Sequence, residues 1–184
     1  MAGYKLLGIS GSLRAGASNT QLLGEAVRLF DGAEYTQADI RFPIYDADEE
    51  AATGVPEAVI KVARQIGDAD AVLISTPEYN KGPSGVLKNA LDWISRAEGN
   101  AWNGKPVAVM SAAAGRAGGE RAQMILRGFM VPFRPLILQG PEIHLANSSS
   151  AFDDSGRLLG EMYIKELTAL MVALKTQIDL SASG

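Results

Sequence analysis

Two short runs of apolar residues constrain the fold of this chain more than any other feature. Residues 70–75 read Asp-Ala-Val-Leu-Ile-Ser, and residues 106–111 read Pro-Val-Ala-Val-Met-Ser. Strands that are apolar at consecutive positions are buried on both faces, which is typical of parallel sheets covered by helices. A helical pattern follows each run, as in a βαβ unit. The sequence therefore predicts an α/β fold.

The same alternation continues along the chain and predicts the remaining elements. From Ser18 the apolar positions recur at helical spacing, with Ser18 or Asn19 as the expected cap and Gly32 as the stop. Further elements are predicted as strands at 5–9, 33–40 and 136–138 and helices at 59–66, 84–97, 119–130 and 158–180. Five strand–helix units predict one open, doubly wound domain over residues 1–184, because a closed eight-stranded barrel needs about 250 residues.

Composition excludes several classes of function. The chain has no cysteine, which excludes disulfides, thiolate metal sites, iron–sulfur clusters and a cysteine nucleophile. Its net charge of −4 gives no basic excess for nucleic acid. The N-terminus lacks a signal-peptide pattern, and no apolar run approaches the roughly 20 residues that cross a bilayer. We therefore expect a cytoplasmic protein that binds neither nucleic acid nor membrane.

In open sheets of this kind, ligands bind beyond the carboxyl ends of the strands. The first such loop joins a strand to a helix N-terminus, where free N–H groups and the helix dipole favour phosphate. Residues 11–18 match the P-loop pattern except that Ala17 replaces its lysine, which disfavours an NTPase. The dinucleotide glycine spacing is also absent. The alternative is an ordinary strand–helix turn. Side chains that can complete a phosphate site are Ser10, Ser12, Arg14, Ser18, Asn19 and Thr20.

Two further loops lie at the same predicted edge. Residues 76–85 form a rigid loop rich in proline and glycine, in which Tyr79 can stack on a planar ligand and Glu78 and Asn80 can bind a ring edge. Residues 111–119 are rich in glycine, and Arg116 can meet a second, anionic ligand. An ordinary turn with an exposed tyrosine and a flexible glycine loop are the alternatives.

Together these segments resemble the NADPH-dependent FMN reductase family, a flavodoxin-like group that includes quinone, chromate, azo and ferric reductases. The resemblance covers about residues 4 to 140. It is carried by Gly11-Ser12-Leu13-Arg14 with Ser18-Asn19, Pro77-Glu78-Tyr79-Asn80, Lys88–Trp93 and Ser111–Gly119. It implies a five-stranded parallel sheet of order 2-1-3-4-5 with helices on both faces. It also implies a homodimer or homotetramer in which the partner helps to wall the flavin site.

The resemblance implies FMN phosphate in the first loop and the flavin ring between the second and third loops. NADH or NADPH would reduce FMN at N5 in a ping-pong cycle, and a quinone, flavin, azo compound, chromate or ferric complex would then accept the electrons. The residues expected to bind FMN are Ser10, Ser12, Arg14, Ser18, Asn19, Thr20, Pro77, Glu78, Tyr79, Asn80, Ser111 and Gly115. Lys81, Arg96 and Arg116 are expected to contact substrate.

Other polar residues are given no catalytic role. The chemistry resides in the cofactor, so no catalytic side chain is expected. His144 is the single histidine and is expected to be structural or exposed, and the acidic residues 46–50 lack a calcium-loop spacing, so no metal site is expected. Lys88, Asp92 and Arg96 form an intrahelical charge stripe, or else Asp92 or Arg96 lies at a subunit interface or near the nicotinamide. Two rival functions are a flavodoxin-type electron carrier without a nicotinamide site and a non-enzymatic regulatory domain on this fold.

Overall fold

The central strands of the sheet are those that the apolar runs predict. The computed structural model describes residues 3–183. Its strands are β1 Tyr4–Ser10, β2 Ala33–Gln37, β3 Ala71–Thr76, β4 Pro106–Ala112, β5 Leu136–Ile137 and β6 Ile143–Leu145. Its α-helices are α1 Ser18–Phe30, α2 Ala47–Thr53, α3 Glu57–Asp68, α4 Gly85–Ile94, α5 Glu120–Met130 and α6 Glu161–Ala182.

The strands form one parallel sheet in the order β2-β1-β3-β4-β5, with β6 also paired to β4. This order confirms the predicted flavodoxin-like topology. The fifth strand differs from the prediction because it is divided. β5 pairs with Pro106 and Val107 at the start of β4, and β6 pairs with residues 110–112 at its end. β6 was missed because three residues are too few to show a periodicity.

Every residue of β3 and β4 is buried, so both faces of the sheet are covered. On one face, α1 and α6 pack against side chains such as Leu73 and Met110. On the other face, α3, α4 and α5 pack against Ile74 and Val109. Side chains of successive strand residues point to opposite faces, which is why these strands are apolar at every position. The prediction of a sheet covered on both sides is confirmed.

Two local features differ from the sequence-based predictions. The N-cap of α1 is Ala17, which makes no side-chain capping bond, so the prediction of Ser18 or Asn19 as cap is wrong. Both side chains bond to other segments instead. The acidic stretch contains helix α2, capped by Asp46, whose side chain accepts from the Asp48 N–H. This helix has no buried residue, so it carries no apolar stripe that a sequence pattern could reveal.

A buried carboxylate fastens the segment after β6 to α1. The Glu25 side chain is 5% exposed and accepts hydrogen bonds from Arg28 Nε and Nη2, both at 2.9 Å. It also accepts from Arg157 Nη1 and the Leu158 N–H, both at 3.2 Å. Burial raises the pKa of this carboxyl, but the hydrogen bonds from Arg28 and Leu158 outweigh it, so the pKa lies below its ordinary 4.5.

None of the helices within residues 3–183 combines the length and the apolar composition that a membrane span requires.

The lowered pKa of Glu25 sets the sign of a pH effect on stability. The Glu25 carboxyl takes up its proton at a higher pH in the unfolded chain than in the folded protein. Its contribution to the free energy of unfolding is therefore complete above about pH 4.5 and is lost as the pH falls through the lower folded-state pKa. We expect Glu25→Gln to lower the free energy of unfolding by about 2 kcal/mol at pH 7, and by progressively less below pH 4. Urea denaturation across this pH range measures the difference. The exposed Glu34→Gln variant is the control, and a pH-independent deficit in Glu25→Gln would contradict the assignment.

Candidate active site

The first two predicted loops meet at the carboxyl edge of the sheet. Loop one (residues 11–17) follows β1, and loop two (residues 77–84) follows β3. The Gly11 N–H donates to the Ser75 carbonyl at 2.8 Å, and Ser84 Oγ donates to the Gly11 carbonyl at 2.6 Å. A Cβ at Gly11 would lie only 3.0 Å from Pro77 Cδ, so a larger residue would push the loops apart. The structure thus brings these two loops into direct contact.

Loop one presents hydrogen-bond donors to its surroundings. In the part of the chain that the structure describes, the backbone N–H groups of residues 13–16, 18 and 19 donate no hydrogen bond. The Arg14 side chain is exposed and forms no ion pair within residues 3–183. Ser12 is half-buried beside it. Several N–H groups at a helix N-terminus, together with a guanidinium, are the donor set that a phosphate requires.

The other side chains predicted for loop one serve the protein interior. Asn19 is 3% exposed: its Nδ2 donates to the Ala112 carbonyl, while its Oδ1 accepts from Ser75 Oγ and the Ala112 N–H. Its side chain therefore joins α1 to β3 and β4 in the interior, while its backbone N–H is free. Ser10 Oγ bonds to Thr20 Oγ1 at 3.0 Å, and Ser18 Oγ donates to the Ser148 carbonyl at 3.1 Å.

Loop two contains a tight turn that places Lys81 in a strained conformation. The N–H groups of Tyr79 and Gly82 each donate to the other residue's carbonyl, at 2.9 and 3.1 Å. Asn80 and Lys81, between them, have φ values of 50° and 71°. Two central residues with positive φ define a type I′ turn, whose second position favours glycine. Tyr79 is 52% exposed at the base of this turn.

A cleft of about 400 Å³ separates the tips of the first two loops. Residues 11–14 line one side, and Tyr79 and residues 84–86 line the other. The half-buried Glu78 lies deeper, where its Oε2 accepts from the Ala122 N–H in the first turn of α5 at 3.3 Å. Pro77 is buried against Gly11, whereas Tyr79 lines the cleft and Asn80 is exposed beside it in sequence.

Loop three (residues 113–119) follows β4 and is held from below. Ser111 is fully buried, and its Oγ donates to the Gly118 carbonyl at 2.7 Å. Gly118 has φ 59°, and a Cβ there would lie 2.2 Å from the His144 carbonyl oxygen, so only glycine fits. Gly115 and Arg116, at the loop tip, are exposed. Ser111 therefore supports the loop, while Gly115 and Arg116 are its accessible part.

The segment at residues 88–93 has a structural role in this chain. Asn89 Nδ2 and Trp93 Nε1 both donate to the Pro43 carbonyl at 2.8 Å, which anchors the segment between β2 and α2. Lys88 Nζ pairs with Asp92 at 2.6 Å, as expected of an intrahelical stripe. Arg96 instead pairs with Glu50 at 2.8 Å. It lies beyond the end of α4, about 15 Å from the end that adjoins loop two, so the structure does not bring it to the three loops.

No cluster of three or more potential metal ligands from His, Cys, Asp and Glu occurs within residues 3–183. His144 is half-buried on β6 opposite Ser111, and its Nε2 is enclosed without a hydrogen-bond partner. The backbone of His144 thus adjoins the base of loop three at Gly118.

Fold and site together define a nucleotide-binding α/β protein with a phosphate-type loop, an aromatic loop and a glycine-rich loop at one sheet edge. The family model for NADPH-dependent FMN reductases matches residues 4–149. The chain is 44% identical over 174 residues to an NAD(P)H-dependent FMN reductase of Pseudomonas aeruginosa, covering 91% of this chain and 94% of that protein. It is 36% identical over 170 residues to a 2-hydroxy-1,4-benzoquinone reductase of a Burkholderia species, covering 91% and 92%.

A solved structure extends this likeness to three dimensions. FerB, a flavoenzyme NAD(P)H:(acceptor) oxidoreductase from Paracoccus denitrificans, superposes with a TM-score of 0.86 at 31% identity, covering 97% of this chain and 98% of FerB. The chain belongs to the NADPH-dependent FMN reductase family. This membership confirms the prediction of an oxidoreductase that uses FMN and NAD(P)H.

The turn at Lys81 generates a test of backbone strain. A non-glycine residue in the left-handed region costs roughly 1 to 2 kcal/mol of folding free energy. Glycine avoids this cost, although its greater freedom in the unfolded chain offsets part of the gain. We expect Lys81→Gly to raise the free energy of unfolding by about 1 kcal/mol. Lys81→Ala, which keeps the strain and removes the same charge, should stay within about 0.5 kcal/mol of the parent protein. Guanidinium denaturation measures both, and equal stabilities of the two variants would refute the explanation.

Proposed function

We propose that this chain is a quinone-reducing FMN oxidoreductase that oxidises NADH or NADPH and passes the electrons to a small acceptor. The observation that carries the proposal is the cleft between loops one and two, which combines unpaired backbone donors with an exposed tyrosine. The relatives named for FMN and benzoquinone reduction support it. The proposal also includes flavins, azo compounds, chromate and ferric complexes as electron acceptors.

The residues present fit FMN. The phosphate would be held by the free N–H groups of residues 13–16, 18 and 19, with Arg14 and Ser12 beside them. The ring would lie between Tyr79 and Asn80 on one side and Gly115 on the other. FMN, when bound, supplies the two-electron chemistry, while the protein supplies position and electrostatics. Asn19, Ser10, Thr20, Glu78 and Ser111 contribute by fixing the loops rather than through free side-chain donors.

Each of the three loops carries an exposed cation, although the whole chain is acidic. Arg14, Lys81 and Arg116 form no ion pair among the residues that the structure describes. A second anionic ligand, the pyrophosphate of NAD(P)H, is therefore attracted to the edge that holds the FMN phosphate. NAD(P)H and the acceptor would both reach the ring from this edge. We propose that they bind in turn, which gives ping-pong kinetics.

We also propose that the protein works as a homodimer or homotetramer. Large apolar side chains are exposed around the candidate site: Leu13 and Tyr79 lie on its loops, and Ile44 is 82% exposed on the segment that Asn89 and Trp93 anchor. Met124 is 71% exposed on α5, whose first turn contacts loop two. A second copy covering this surface would complete the wall of the site.

Anaerobic reduction tests the proposed function directly. The purified protein is loaded with FMN, freed of excess cofactor and mixed with NADH or NADPH while flavin absorbance is followed. Rapid bleaching that benzoquinone reverses supports the quinone reductase and identifies the preferred nucleotide. Bound flavin that stays oxidised would instead support an electron carrier, and failure to retain flavin would support a regulatory domain.

Removal of the Arg14 guanidinium tests the phosphate assignment. We expect Arg14→Ala to raise the dissociation constant for FMN by about tenfold or more, because one charge-assisted hydrogen bond to the phosphate is lost. The affinity for riboflavin, which lacks the phosphate, should not change. Flavin fluorescence quenching measures both constants. Arg64→Ala, which removes an exposed arginine from α3, is the matched control, and an unchanged FMN affinity in Arg14→Ala would exclude the role.

A further inference from the structure

A buried glutamine lies directly beneath loop three. Gln123, in the first turn of α5, is 1% exposed. Its Nε2 donates to Ser111 Oγ at 2.8 Å and to the Ile143 carbonyl at 2.7 Å. A single amide group thus joins α5 to the end of β4 and to β6.

The orientation of this amide is fixed by its partners. The Ile143 carbonyl can only accept a hydrogen bond, so the nitrogen of Gln123 must face it. The same nitrogen donates to Ser111 Oγ, which leaves the Ser111 hydroxyl proton directed to the Gly118 carbonyl at 2.7 Å. The result is a directional chain of donors from Gln123 through Ser111 to Gly118. Glutamate cannot replace glutamine here, because a carboxylate has no N–H for Ile143.

This chain of hydrogen bonds determines where loop three lies. Gly118 is fastened from below through its carbonyl, and it packs so closely on the backbone of His144 that no side chain fits between them. The adjacent Ala122 N–H donates to Glu78 in loop two. The first turn of α5 therefore holds both loops between which the flavin ring is proposed to lie.

We infer that Gln123 is a positioning residue for the reductase reaction. It acts through Ser111 to hold loop three at the distance from loop two that a flavin ring and a stacked nicotinamide require. This inference rests on the proposed function, since it assigns loop three to the flavin and nicotinamide. Gln123 touches neither ligand, so its loss should act through the loop and not through the chemical step.

Hydrogen–deuterium exchange and flavin binding test the role together. In Gln123→Leu and in Ser111→Ala, the hydrogen-bonded amides of Gly118 and Glu120 are expected to exchange about tenfold faster. The dissociation constant for FMN should rise by about the same factor, because one net hydrogen bond corresponds to roughly that factor. The KM for NAD(P)H should rise while kcat stays within about twofold. If Gln123 acts through Ser111, the double variant should bind FMN no more weakly than the weaker single variant.

The control is Gln65→Leu, which removes a glutamine with a buried oxygen from α3 beside the amino ends of β1 and β2. It should leave FMN binding and the exchange of the Gly118 and Glu120 amides unchanged. Unchanged exchange and FMN affinity in Gln123→Leu, or additive losses in the double variant, would overturn the inference. Ser111→Ala removes a single atom, so it tests the chain of donors even where Gln123→Leu fails to fold. Failure of the parent protein to bind FMN would instead reject the proposed function.

Discussion

Burial of β3 and β4 on both faces is the constraint on which the rest of the molecule depends. Every residue of these strands is buried, so their polar groups are satisfied within the sheet or by neighbours that reach into it. Asn19 is one such neighbour, since its amide bonds to Ser75 and to both backbone groups of Ala112. Chemistry is thereby confined to the loops beyond the strand ends, where backbone groups lose their ladder partners.

At that edge, buried side chains hold the structure together while backbone groups remain free, and this difference follows from the same constraint. Buried side chains there, such as Asn19, Ser111 and Gln123, hydrogen-bond to other parts of the protein. Backbone N–H groups of loop one and the exposed cations remain for ligands. A ligand bound mainly by backbone groups meets a surface that is already rigid, so little ordering is needed when it binds.

Local patterns in the sequence predicted the central strands of a parallel sheet and the three loops, since parallel strands end at one edge, and the resemblance to a known family predicted the strand order. It did not predict β6 or α2, since three residues show no periodicity and a wholly exposed helix has no apolar stripe. The roles of individual side chains were harder to predict than the elements. The side chain of Asn19 bonds to Ala112 and that of Arg96 pairs with Glu50, and both partners are distant in sequence. No sequence pattern indicated a role for Gln123, because its hydrogen-bond partners come together only when α5, β4 and β6 pack.

The division of the fifth strand has a consequence for association between molecules. An edge strand with a long row of free backbone groups can template pairing with another chain. Here the edge is interrupted between β5 and β6, which offer segments of only two and three residues. An incoming strand would find no continuous ladder on this side. The interruption therefore protects the protein against open-ended polymerisation through its sheet and leaves other surfaces to govern assembly.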